Sequence, residues 1–123
     1  MNYYKLKTEF KEVMVSLTVE CYTANNRLAV QLWVNDEDGL EPFSLLTVNL
    51  PDAPIIKNGA YLDTNNLKYA EKFVCQHGLA TKTGMYASSG YCTYPLYTFD
   101  MEQLKKLDPV GYEAYERKAD DIQ

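Results

Sequence analysis

The sequence predicts an α+β domain: an antiparallel sheet, built from an N-terminal meander plus one late strand, packed with two helices. Three observations carry this expectation. Apolar and polar residues alternate from Val13 to Val34, apolar residues recur at helical spacing over 65–77, and a second strand-like stretch, 91–99, apolar enough on both sides to be covered on both faces, runs into helix-start signals. The 123 residues, 46% hydrophobic and 13% aromatic, suit one domain spanning 1–123. A chain of this length buries roughly two-thirds of its unfolded surface, enough for a core without metal or disulfide.

The elements follow in order. Val13, Val15, Leu17, Val19 and Cys21 alternate with Met14, Ser16, Thr18, Glu20 and Tyr22. Leu28, Val30, Leu32 and Val34 repeat the pattern after Thr-Ala-Asn-Asn-Arg. A two-residue type I′ turn at Asn25–Asn26 is expected, since Asn tolerates positive φ. It sets Cys21 opposite Val30, Val19 opposite Leu32 and Leu17 opposite Val34. The other face carries Met14, Tyr22 and Trp33, which the helix over 65–77 is expected to cover; left bare, that face suits a partner.

The polar run Asn35–Gly39 is a turn, and 42–50 reads as a third strand ended by Pro51 and Pro54. A short strand is expected at Ala60–Leu62. Residues 63–66 supply N-caps for the helix over 65–77, and Gly78 supplies its left-handed C-cap. Residues 79–90 read as a loop, with Ser88-Ser89-Gly90 a mobile connector. The strand 91–99 contains Pro95, which cannot donate to a ladder and predicts an edge or a bulge. Asp100 with Gln103 starts a helix over 101–107, and Asp108–Pro109 restarts it ahead of a charged tail.

Composition narrows the function classes. The formal net charge is −5, and the 12 basic residues are spread thinly, which disfavours direct nucleic-acid binding and anionic membranes. No run of about 18 apolar residues exists to span a bilayer. The first ten residues lack the apolar stretch of a signal peptide, and the three cysteines are widely spaced. A cytoplasmic setting with reduced thiols is expected.

No catalytic, cofactor-binding or metal-binding residue stands out. Cys92 and the single His77 form a nucleophile–base pair only if folding joins them. Cys21, Cys75, Cys92 and His77 lack the close pairing of zinc ligands. Asp36, Glu37, Asp38 and Glu41 crowd one turn without the offsets of a calcium loop. The eleven tyrosines are more informative, because a ring that packs while its hydroxyl stays wet suits interfaces. Tyr22, Trp33, Tyr91, Tyr94 and Tyr97 are the expected protein-binding surface.

Several segments, AVQLW, LTVNLP, LDTNN and SGYCTYPLYTFD, together resemble a family of small domains of unknown function. That family is carried by integrative and conjugative elements and phages of gut Firmicutes. The resemblance runs over about residues 13–104, most of the chain. It implies an accessory gene of a mobile element in a bacterial cytoplasm, and no activity. The expected role is a non-enzymatic protein that binds an as yet unknown protein partner. Two alternatives are an acidic DNA mimic that blocks a restriction or defence enzyme, and a small enzyme using Cys92 and His77.

Overall fold

The computed structural model describes residues 3–119. The chain runs β1 (Tyr4–Lys7), β2 (Glu12–Cys21), β3 (Leu28–Asp36), β4 (Gly39–Leu45), β5 (Thr47–Val48) and β6 (Gly59–Leu62). It continues through α1 (Ala70–Gln76), β7 (Ala80–Ser89), β8 (Cys92–Phe99), α2 (Met101–Leu107) and α3 (Pro109–Ala119). The class is α+β. The strands form two antiparallel sheets, ordered β1-β2-β3-β4 and β5-β6-β8-β7. The late strand therefore lies in a second sheet rather than beside the meander. The charged tail expected after Ala119 lies outside the described residues.

Alternation decides the buried face of the first sheet. Val15, Leu17 and Val19 of β2 and Leu28, Val30 and Leu32 of β3 are buried in one core. The observed pairs are Val19 with Val30 and Leu17 with Leu32, two residues away from the expected register. A shift of two keeps every side chain on its face, so the apolar set survives. The shift arises because the connection is a four-residue loop. Tyr22 and Arg27 pair across it (N–H to O=C, 2.9 Å), and Asn26 adopts φ +59°.

Leu46 breaks the strand expected over 42–50. Its N–H donates to Val30 O at 2.9 Å and its carbonyl accepts from Asp63 N–H at 3.0 Å. One fully buried residue thus passes the chain from the first sheet to the second. Beside it, the buried Thr47 hydroxyl accepts from Val30 N–H at 3.2 Å and meets the Tyr22 hydroxyl at 2.9 Å.

The segment expected as a loop, 79–90, is instead β7, joined to β8 by a tight turn at Gly90–Tyr91. Ser88 and Ser89 are therefore ladder residues opposite Thr93 and Cys92, not a connector. Gly90 takes φ +62°, as the first position of a type II′ hairpin turn requires. Pro95 sits in β8 next to a register shift between Lys82 and Tyr86, the bulge its missing N–H anticipates.

The first helix starts at Ala70, later than expected. Asp63 caps a separate turn, accepting from Asn66 N–H at 3.2 Å, and gives no cap to the helix. Its C-terminus behaves as expected. Gly78 is left-handed, its N–H bonds Cys75 O at 3.3 Å, and Leu79 N–H reaches back to Val74 O at 2.8 Å. Helix α1 buries Ala70, Phe73 and Val74 in the core, on the far side of the first sheet from Met14 and Trp33. It does not cover that face, where Met14 is 51% exposed.

Asp100 caps α2, accepting from Glu102 and Gln103 N–H groups. Helices α2 and α3 then lie against β2. Asp108 links them to it: one carboxylate oxygen accepts from Gly111 N–H at 3.1 Å, the other from Val19 N–H at 3.0 Å. The edge of β2 that β1 leaves uncovered is thereby occupied.

Candidate functional site

The five aromatic residues expected to form one surface do not come together. Tyr91 is fully exposed at the β7–β8 turn. Trp33 is half-buried, its indole N–H donating to Thr18 Oγ1 at 2.8 Å. Tyr22 is half-buried and turned toward Thr47; burial raises its hydroxyl pKa. Tyr94 and Tyr97 are buried, at 8% and 2% exposure, and are not surface residues. The reason is the position of β8, a central strand packed on both faces. Tyr97 joins the main core and Tyr94 a second cluster with Leu50, Tyr61 and Leu96. The Tyr97 hydroxyl reaches Glu71 at 2.8 Å, and burial together with that carboxylate pushes its pKa far up.

Cys92 and His77 are held apart. His77 Nε2 is 2.9 Å from Lys5 O, and its ring packs edge-on against Tyr4 and Phe73. Cys92 packs with the second cluster, at the start of β8. Cys21 is half-buried, and burial raises its thiol pKa, only partly offset by Lys118. Carboxylates of Asp36, Asp38 and Glu41 come within 4.8 Å of one another at an exposed hairpin tip, where Asp38 N–H bonds the Asp36 side chain.

A groove of about 420 Å³ opens where three segments meet: the β1–β2 turn, Phe43 of β4 and the turn 65–69. Each wall is locally fixed. Thr8 Oγ1 donates to Lys11 O at 2.8 Å and accepts from the Lys11 and Phe10 N–H groups. That closed turn throws Phe10 outward, 92% exposed. On the other wall Asp63 holds Asn66 by backbone and side chain, and Leu67 N–H bonds Asp63 O at 2.8 Å. Leu6 and Leu67, both buried residues, lie at the base.

The rim is basic. Lys68 pairs with Glu9 across the groove at 3.2 Å, an exposed contact that opens readily. A second, smaller groove of about 260 Å³ continues past Lys7 and Tyr69 to Lys5, Lys72 and Glu12, with Lys5 paired to Glu12 at 3.4 Å. Lys7, Lys11 and Lys72 make no ion pair among the described residues. The sequence reading missed this groove. Its residues are too far apart along the chain to make a motif, and the one local signal was an apolar Phe10 inside a charged turn.

A small two-sheet α+β domain with a basic-rimmed apolar groove defines the molecule at the level of class. The chain belongs to a family of domains of unknown function, DUF4313, whose family model matches residues 16–119. No curated protein and no solved structure matches the chain.

Proposed function

We propose that the chain is a non-enzymatic accessory protein of a mobile genetic element that works in the bacterial cytoplasm by binding another protein. The observation that carries this reading is the groove, with Phe10 held 92% exposed at its rim by a fixed turn. A large apolar side chain presented in a hydrogen-bonded frame is costly in water and useful at an interface. The groove lining contains neither cysteine nor histidine. The DNA-mimic alternative draws less support, because several of the described acids are already engaged. Glu9, Glu12, Glu71 and Glu116 pair with lysines, and Asp63, Asp100 and Asp108 accept backbone N–H groups.

Affinity capture from host extract with the full chain and a Phe10→Ser variant tests the reading. The expected result is one stoichiometric protein retained by the parent and lost by the variant, both equally folded by circular dichroism. Retention of nothing at high bait concentration, or capture indifferent to Phe10, overturns it.

A further inference from the structure

We infer that the groove receives an acidic segment of the partner protein, an apolar side chain seated over Leu6 and Leu67 and carboxylates ranged over Lys7, Lys11 and Lys72. This rests on the protein-binding reading and supplies the chemistry of the partner. Charge complementarity carries it. The chain is net −5, yet its two joined grooves gather five lysines: Lys5, Lys7, Lys11, Lys68 and Lys72. Glu12 matches Lys5 and Glu9 matches Lys68. Lys7, Lys11 and Lys72 have no carboxylate within ion-pairing distance among the described residues. Positive charge is thus concentrated around an apolar floor in a molecule that is negative elsewhere. Arriving carboxylates relieve the mutual repulsion of the ammonium groups, and low-dielectric walls strengthen each contact.

The occupant must use both features. A small inorganic anion would leave the floor wet. A single-stranded nucleic acid would find rings to stack on in Phe10, Phe43 and Tyr69, but its phosphates are repelled by the net charge beyond the groove. A short acidic segment with one large apolar residue satisfies the floor and the rim together.

Fluorescence anisotropy of the full chain tests this with a labelled heptapeptide of sequence DDEFEDD. Three companions serve as controls: the same peptide with Phe replaced by Ser, the same with every acid replaced by Lys, and a labelled oligothymidylate. Saturable binding of DDEFEDD is expected, weakening at least about tenfold between about 0.05 and about 0.5 M salt. A combined Lys7→Glu, Lys11→Glu, Lys72→Glu variant loses about tenfold or more with an unchanged thermal midpoint, since all three side chains are exposed. The Ser peptide binds more weakly and the Lys peptide not at all.

Absent saturation, equal binding of the Lys peptide, or indifference to the lysine variant overturns the inference. Tighter binding of oligothymidylate through the same lysines also overturns it and reassigns the groove to single strands. The two proposals fail separately. A host protein captured through Phe10 but unaffected by the lysine variant keeps the protein-binding role and removes the acidic chemistry. Lysine-dependent peptide binding without any captured host protein leaves the groove chemistry standing and removes the host partner.

Discussion

Gly111 shows how one hydrogen in place of a methyl group positions a helix. A Cβ at this position would lie 2.2 Å from Val19 O and 2.3 Å from Asp108 Oδ2. Helix α3 therefore approaches β2 as closely as its backbone allows. Gly111→Ala should destabilise the protein by roughly 2–3 kcal/mol, because backbone rather than a flexible side chain must move. Asp108→Ala should cost a similar amount, about 2–3 kcal/mol, through the lost cap and the Val19 N–H left without its acceptor. Urea denaturation checks both; a midpoint unchanged in either variant would refute the close approach. Only half of this was legible. Asp108–Pro109 reads as a helix start from residue types alone, as Asp100 does. The need for glycine at 111 comes from a strand ninety positions earlier, and nothing local announces it.

At the scale of elements, Arg27 clasps the connection between β5 and β6. Its guanidinium donates to Leu50 O at 2.7 Å and Ala53 O at 2.9 Å. Charged hydrogen bonds of this kind contribute about 1.5–3 kcal/mol each, though an exposed loop recovers part of that from water. Arg27→Ala should lower the thermal midpoint and raise amide exchange across 50–54. Arg27→Lys should fail to restore protection, since one ammonium cannot span both carbonyls. Full rescue by lysine would show that charge alone suffices.

The strands that alternation revealed are those with one buried face, β2 and β3. Strand β7 reads as a loop in the sequence for a physical reason. It is an edge strand whose ten residues are nearly all exposed or half-exposed on both faces, so selection for burial left no period in it. Strand β1 is too short to show one. The start of α1 was misplaced because Asp63 is a good cap for any turn, and the chain used it for a tight turn before the helix.

For the whole molecule, the tyrosines set a limit on the alkaline side. Burial raises the pKa of Tyr22, Tyr97 and Tyr115. In the unfolded chain these hydroxyls ionise near pH ~10. Because the folded state holds its protons to higher pH, their contribution is complete below that value and is lost as pH rises above it. The urea midpoint should be flat through neutral pH and fall above pH ~10, with phenolate absorbance appearing in at least two steps. A single step near pH ~10 with the fold intact would refute the assignment. The same tyrosines explain why the expected interface dispersed. Ring and hydroxyl serve a core rim as well as a contact surface, and sequence does not tell the two apart. The groove was hidden more thoroughly, since it exists only where residues 6–11, 43 and 65–69 converge.

The carboxylate that Asp108 lays against β2 has a consequence for life at high concentration. An open strand margin invites another chain to add itself, and each addition exposes the next margin. Here the Val19 N–H is already taken and Gly111 brings helix backbone against the neighbouring carbonyl. The molecule carries its own stopper on that flank, so crowding does not turn it into the seed of a fibre there.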